Sequence, residues 1–108
     1  MPQIREMQDQ HKEWVDQNFP HQMPHQPLLG IVEEVGELSH VHLKAEQGIR
    51  RLGGDNGYNL RVDALGDIFI YMMSYCNSNH IDLEEAITST WDRVKRRDWD
   101  ADPETGGE

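Results

Sequence analysis

The sequence predicts an all-α protein. Apolar residues recur at steps of three and four in four separate blocks, which is the periodicity of a helix with one buried face. Stretches rich in proline or glycine separate the blocks, and no stretch alternates apolar and polar residues as a strand does. The length of 108 residues suits one domain, which we place at residues 1–99.

The first two blocks predict helices over residues 4–19 and about 28–46. The first carries Ile4, Met7, His11, Trp14, Val15 and Phe19 at helical spacing. Pro20 ends it, and the prolines of residues 20–27 predict an irregular loop. Gly48 is the expected stop of the second helix. Its apolar stripe consists of Leu28, Ile31, Val32, Val35, Leu38 and His42.

The last two blocks predict helices over residues 60–76 and from 83 onward. The glycines of residues 48–59 predict a flexible connection before the third helix. That third helix is apolar nearly all round, so we expect it to be central and to contact more than one neighbour. Asp82 followed by Glu85 has the spacing of a capping box at the start of the fourth helix. We expect Trp91 and Trp99 to be packing residues.

The composition predicts an oligomer. Leu, Ile, Val and Phe together number only 23 residues and the net charge is −10, so a single chain buries little core. We therefore expect a homodimer or a homotetramer. After Trp99 the segment of residues 100–108 is acidic and has no basic residue, which predicts a disordered tail.

Several classes of protein are excluded by the same counts. The longest apolar run, residues 68–73, is far shorter than the roughly 20 residues that span a bilayer. Residues 1–6 lack the apolar core of a signal peptide, so we expect a cytoplasmic protein. Cys76, the single cysteine, forms no internal disulfide and is expected to pack as a small apolar residue. The excess of acidic over basic residues argues against binding to a nucleic-acid polymer.

Two acidic motifs interrupt the apolar stripes. In the first, Glu37 lies about 40° from Glu33 and about 60° from Glu34 around the second helix, so all three project from one flank. In the second, Asp63 and Asp67 are one turn apart, and Asp67 interrupts the most apolar helix. Carboxylates about 4 Å apart repel by about 4 kcal/mol at an effective dielectric of 20, and a divalent cation removes this repulsion. Solvated acidic faces are the ordinary alternative.

The type of ligand indicates which cation. Carboxylate oxygens without thiolates favour Mg²⁺, with Mn²⁺ as a second choice. Glu37 and His40 form an E-x-x-H pair, which raises a di-iron bundle as an alternative. That site needs two such pairs, and the other acidic helix has no histidine at the required step.

The order and spacing of the two motifs resemble a known family. Glu33-Glu34-x-x-Glu37 followed by Leu65-Gly66-Asp67-Ile68 resembles the signature of the MazG-like all-α nucleoside triphosphate pyrophosphohydrolases, E-E-x-x-E and then E-x-x-D. The resemblance covers roughly residues 28–99. It implies a helical bundle of four main helices and Mg²⁺-dependent cleavage between the α- and β-phosphates, which gives a nucleoside monophosphate and pyrophosphate.

The resemblance also implies roles for the acidic residues. Glu34, Glu37 and Asp67 would ligate the metal, and Glu33 would orient or deprotonate the attacking water. Ala64 stands where the family has its second-helix glutamate, and Asp63 is the nearest substitute. The alternative function is therefore a catalytically degenerate relative that kept the helical scaffold as a binding or interaction protein.

A nucleoside triphosphate would further need cations for its phosphates and a wall for its base. We take four basic residues as candidate phosphate contacts: Lys44, Arg61, Lys95 and Arg97. The alternative is that basic residues in a last helical turn stabilise the helix through its dipole. Tyr71, one turn after Asp67, resembles the family's base-contacting position. The side chains of His11, Trp14 and Phe19 are assigned to core packing, with closure of the pocket as the alternative.

Overall fold

The computed structural model describes residues 3–107 as four helices. They are α1 (Ile4–Asn18), α2 (Gln26–Gln47), α3 (Asp55–Ser78) and α4 (Leu83–Val94), and the described part of the chain contains no strand. The predicted all-α class is confirmed. The ends of the predicted domain and tail, residues 1, 2 and 108, lie outside the described residues. Among the described helices none is both long enough and apolar enough to cross a membrane.

The predicted helix boundaries are confirmed at the capped ends. Gly48 follows α2 with a φ of 71°, the left-handed conformation that glycine adopts without strain. Pro27 lies in the first turn of α2, where its missing N–H leaves no hydrogen bond unmade. The side chain of Asp82 accepts a hydrogen bond of 3.2 Å from the backbone N–H of Glu85, which makes it the N-cap of α4.

The third helix begins five residues earlier than predicted. Residues 55–59 form its first turns rather than the end of a flexible connection. The negative charge of Asp55 in the first turn interacts favourably with the positive end of the helix dipole and stabilises this start of the helix. Gly57 is buried, and any Cβ at that position would overlap the backbone carbonyl of Leu52. Gly57 therefore permits a close approach of two backbone segments. The sequence alone does not distinguish a glycine with this role from one in a flexible connection.

The third helix is central, as its composition predicts. It packs along α2 and also contacts α1 and α4. Because α2 contacts no other described helix, its buried residues Gly30 and Val41 mark the face that meets α3. Ala64 is the buried residue in the middle of α3. The contact between these two long helices is thus built on small side chains, which allow the backbones to approach closely.

A second core joins α1, α3 and α4. Met73, Cys76 and Leu83 form its buried centre, with Ile4, Met7, Phe69 and Met72 packed around them. Burial raises the pKa of the Cys76 thiol, in keeping with its predicted role as a small apolar residue. Gln8 is also buried and links the three helices: its amide donates to Asn77 and to the carbonyl of Ile81, and its oxygen accepts from the N–H of Leu83.

The end of the chain departs from one expectation. Trp91 and Trp99 are more than half exposed, so the expectation that they are packing residues is wrong for the single chain. The carboxylates of Asp98 and Asp102 accept backbone hydrogen bonds from the residues that follow them, which produces a run of turns up to residue 107. The predicted disorder of residues 100–108 stays a prediction.

Candidate functional site: a cleft between α1, α2 and α3

A cleft of about 500 Å³ brings the two acidic motifs together. Glu34 on α2 and Asp67 on α3 both line it, which joins one carboxylate from each motif. The remaining walls come from α1, from the loop before α2 and from the second half of α3. The other lining residues are His11, Trp14, Val15, Phe19, Gln22, Gln26, Ile70, Tyr71 and Ser74.

The electrostatics of Glu34 reflect this convergence. Its pKa is raised above the usual range of a glutamate, first by partial burial and then by the negative charge of Asp67. The charges of Glu33 and Glu37 raise it further. Three carboxylates from the two motifs, those of Glu33, Glu37 and Asp67, therefore lie close enough to disfavour the negative charge of Glu34.

The other predicted carboxylates stay at the rim or outside the cleft. Glu33 and Glu37 are exposed on α2 and do not line it, and Asp63 is exposed on α3. Ala64, in the place of the family's glutamate, is buried and cannot offer a ligand. Over residues 3–107 no group of three or more His, Cys, Asp or Glu side chains is arranged to hold a metal ion.

Asp67 is exposed, so the cost of burying its charge is not a reason to expect a bound cation beside it. Its apolar sequence neighbours suggest a buried carboxylate, yet Leu65 and Ile70 beside it are themselves exposed in the single chain. The expected desolvation cost at Asp67 is therefore absent. What remains is the partial burial of Glu34 and the repulsion that its charge meets from Asp67, Glu33 and Glu37, which a cation would relieve.

Aromatic side chains form one wall of the cleft. His11 and Trp14 stack with their ring centroids 5.7 Å apart, and Phe19 meets Trp14 edge-on at 5.6 Å. Trp14 and Phe19 are more than half exposed, so their assignment to core packing is wrong and the alternative, a wall of the cleft, describes them. Tyr71 contributes from α3 and packs directly against Gly30.

His11 contributes no charge to the cleft at neutral pH. Burial lowers the pKa of its imidazole, which favours the neutral ring. Its Nε2 atom is buried and has no hydrogen-bond partner in the described part of the chain. A neutral ring with an unused nitrogen can stack on a ligand or exchange a hydrogen bond with it.

Two glutamines in the cleft were not among the predicted site residues. The amide of Gln22 donates to the hydroxyl of the buried Ser74 at 2.9 Å, and the oxygen of Gln26 accepts from the N–H of Met23 at 2.7 Å. These bonds restrict the orientation of both side chains beside the aromatic wall. The only sequence signal is a pair of amides spaced by one helical turn in a proline-rich loop, which is too common to be diagnostic.

The predicted phosphate contacts lie elsewhere in the single chain. The residues that line the cleft include no lysine or arginine. Lys44 is hydrogen-bonded to Gln47 at the end of α2, and Lys95 forms an ion pair of 2.9 Å with Asp92. Arg61 lines a separate cavity beside Tyr58, and Arg97 packs against Gly106. The assignment of these four residues to phosphate stays a prediction.

Comparisons with known proteins assign neither a family nor a function to this chain. No family model, no curated protein and no solved structure matches this chain. The chemistry of the cleft is therefore interpreted from its geometry and from the spacing of the acidic motifs.

Proposed function

We propose that the chain is a Mg²⁺-dependent nucleoside triphosphate pyrophosphohydrolase of the MazG-like class, with its active site in this cleft. The reaction would cleave the bond between the α- and β-phosphates and release the nucleoside monophosphate and pyrophosphate. The observation that carries the proposal is the meeting of Glu34 and Asp67, one from each acidic motif, next to an aromatic wall.

The donor set of the cleft suits Mg²⁺, with Mn²⁺ as its closest substitute. Mg²⁺ keeps several of its waters and is commonly held by one or two carboxylates together with the phosphates of a substrate. Glu34 and Asp67 supply two such carboxylates, and Glu37 lies one turn beyond Glu34. Burial raises the pKa of Glu34 most, and the negative charges of Asp67, Glu33 and Glu37 raise it further. A doubly charged ion would offset both effects.

The absence of lysine and arginine from the lining residues also favours a metal. A triphosphate carries several negative charges and would be repelled by Glu34 and Asp67 alone. The neutral His11 does not offset that charge. When bound, Mg²⁺ would neutralise phosphate oxygens and stabilise the charge that develops during phosphoryl transfer to water.

The chain's own residues would position the substrate and the water. The rings of Trp14, Phe19 and Tyr71 present flat apolar surface on which a base can stack, and Gln22 and Gln26 bring amides to the same wall. Glu33 would take the proton from the attacking water as the bond to pyrophosphate breaks. Its place on the exposed side of α2, adjacent to Glu34, leaves it accessible to solvent.

A panel of nucleoside triphosphates with Mg²⁺ and detection of pyrophosphate tests the proposal. We expect turnover of at least one triphosphate, and a loss of about 100-fold or more in Glu34→Gln and Asp67→Asn, as for removal of one group that stabilises a transition state. The matched control is Glu13→Gln, because Glu13 is exposed on α1 and does not line the cleft. No turnover of any triphosphate, or unchanged turnover in both cleft variants, would refute it.

The roles of neighbouring glutamates can be separated in the same assay. Glu33→Gln is expected to lose turnover while keeping the stabilisation by Mg²⁺ plus nucleotide, since its role is proton transfer. Glu34→Gln is expected to lose both. Asp63→Asn should reduce the apparent affinity for Mg²⁺ if Asp63 substitutes for the missing glutamate, and should have no effect if it does not.

The burial of Ala64 favours a second candidate function. Asp67 is the one carboxylate that α3 contributes to the residues lining the cleft, because Ala64 is enclosed in the packing and Asp63 is exposed outside it. A site with fewer ligands can bind a nucleotide with its metal and not hydrolyse it. Thermal stabilisation by a nucleoside triphosphate with Mg²⁺, without release of pyrophosphate, would identify this binding or interaction protein.

The proposal includes self-association of the chain, as a homodimer or a homotetramer. No nucleic-acid polymer and no membrane is proposed as a partner. The cytoplasm is the compartment in which we propose the reaction takes place.

A further inference from the structure

A small polar pocket adjoins the cleft at the end away from the acidic residues. It has a volume of about 160 Å³ and lies between the second half of α1, the loop that follows α1 and the last turns of α3. The pocket and the cleft share four lining residues, Val15, Phe19, Gln22 and Ser74. A ligand that lies in the cleft can therefore extend toward this pocket.

The third helix sets the order of groups along the cleft. Asp67, Tyr71, Ser74 and Ser78 lie within about 60° of one another around α3, so they follow one flank of it. At about 1.5 Å per residue, Ser74 lies about 10 Å beyond Asp67 along the helix axis. A nucleotide with its phosphates at the acidic end and its base on the aromatic wall would point the outer edge of the base toward Ser74.

Gln22 and Ser74 have unused hydrogen-bonding capacity at this point. Ser74 is only 3% exposed, and its hydroxyl oxygen accepts a hydrogen bond of 2.9 Å from the amide of Gln22. The proton of this hydroxyl has no acceptor within residues 3–107. Gln22 gives one amide proton to Ser74 and keeps one N–H and its carbonyl oxygen. Two donors and one acceptor are therefore available to a ligand.

This set of groups matches a base that carries a carbonyl oxygen beside a ring N–H. The carbonyl oxygen can accept from Ser74 and from Gln22, and the ring N–H can donate to the oxygen of Gln22. Uracil, thymine, guanine and hypoxanthine carry this pair on their Watson–Crick edge, whereas cytosine and adenine carry an amino group beside a bare ring nitrogen. An amino group would face two donors and leave the buried hydroxyl of Ser74 without an acceptor.

We propose that Gln22 and Ser74 make the cleft prefer nucleotides with a keto base over nucleotides with an amino base. The inference rests on the proposed function, because it takes the phosphates to lie at Glu34 and Asp67. Gln22 determines specificity by direct contact with the base, and Ser74 contacts the base carbonyl and holds the amide of Gln22. A site that binds a polar group in this way rejects an analogue that leaves its own buried groups unpaired.

Titration with uncharged nucleosides, followed by NMR, tests the preference without metal and without turnover. Uridine with cytidine, and inosine with adenosine, are matched pairs, because the members of each pair differ only at the edge in question. We expect uridine and inosine to bind about three- to ten-fold more tightly than cytidine and adenosine, the effect of one hydrogen bond. Equal affinities within both pairs, or no binding of any of the four, would overturn the proposal.

Variants of the two residues assign the preference. Gln22→Ala is expected to reduce both affinity ratios to below about two-fold, and Ser74→Ala is expected to lower them as well. Gln22→Glu should reverse them, because a carboxylate has only acceptors for an amino group. The matched control is Gln17→Ala, since Gln17 is exposed on α1 and lines neither the cleft nor the pocket. Circular dichroism shows whether each variant stays helical. Wild-type ratios in a helical Gln22→Ala would overturn the proposal.

The same reagents separate this inference from the proposed function. A nucleoside preference without release of pyrophosphate from any triphosphate would refute the proposed function and support the role of Gln22. Turnover of UTP and CTP, and of ITP and ATP, with equal kcat/KM within each pair would refute the base preference while the proposed function stands.

Discussion

Replacing Gly30 by alanine tests the contact that shapes the cleft. Gly30 is buried in α2, and a Cβ there would overlap the ring of Tyr71. Gly36 lies on the same helix, and a Cβ there would meet nothing within 4 Å. Alanine is favoured over glycine inside a helix by about 1 kcal/mol at both positions, so only the packing differs between them.

The expected difference follows from the two surroundings. Overpacking costs about 1–3 kcal/mol, so Gly30→Ala should be less stable than Gly36→Ala by that amount. For a domain of about 100 residues, each 1 kcal/mol shifts Tm by about 4 °C, which predicts a gap of roughly 4–12 °C in thermal unfolding. Gly36→Ala itself should unfold slightly above the wild type.

A double-mutant cycle assigns the effect to the ring. In a Tyr71→Ala background the obstruction is gone, so adding Gly30→Ala should stabilise the protein as Gly36→Ala does. The coupling between the two positions should equal the overpacking cost. Equal stabilities of the two single glycine variants, or a cost of Gly30→Ala that persists without the tyrosine ring, would refute this account of the helix contact.

Three further predictions concern stability. Gln8→Ala should lower the free energy of unfolding by about 2–4 kcal/mol in urea denaturation, because it removes the partner of Asn77, of the Ile81 carbonyl and of the buried N–H of Leu83. A change below about 0.5 kcal/mol would contradict this. The hydrogen bond from Arg5 holds the pKa of Asp82 below its usual range. The stabilisation by this pair is therefore complete above the ordinary aspartate pKa and is lost as the pH falls through the lowered pKa of Asp82. The Tm of Asp82→Asn should vary less with pH in acid than that of the wild type. The raised pKa of Glu34 means that its charged form is disfavoured in the fold, so Glu34→Gln should raise Tm at pH 7 without metal, and an unchanged or lower Tm would contradict the crowding of carboxylates.

The helices and their caps could be predicted because local chemistry determines them. Asp82 caps α4 through its own side chain, and Gly48 ends α2 through a left-handed backbone conformation. The start of α3 could not be placed in the same way. Gly57 is where the backbone of Leu52 approaches α3, a contact between segments that residue type alone does not reveal.

Helical periodicity identifies an apolar face and does not say what covers it. The α2 stripe through Leu28, Val32 and Val35 was found from its spacing, yet α2 meets α3 through Gly30 and Val41. Small residues give a weak periodic signal although they permit the closest helix contact. The apolar composition of α3 likewise suggests a buried Asp67, yet Asp67 lines an open cleft and is exposed.

The candidate site could be predicted only in part, because spacing along a helix shows which residues share a flank and not what that flank contacts. The spacing of the acidic motifs placed Glu34 and Asp67 in one cleft, because both lie on the flanks of adjacent helices. Spacing within a helix does not determine which carboxylates turn toward a neighbour, and Glu37 and Asp63 remain outside the lining. The aromatic wall depends on where α1 docks, which the periodicity of α1 does not specify.

Paramagnetic broadening by Mn²⁺ tests most directly whether a divalent ion belongs between the two acidic motifs. Mn²⁺ shares the ligand preference of Mg²⁺ and broadens the NMR signals of nearby amides. Substoichiometric Mn²⁺ is expected to broaden the amides around Glu34 and Asp67 first, and excess Mg²⁺ should restore them. Broadening that begins instead at the acidic residues 98–104, or that stays the same in Glu34→Gln and Asp67→Asn, would contradict the account.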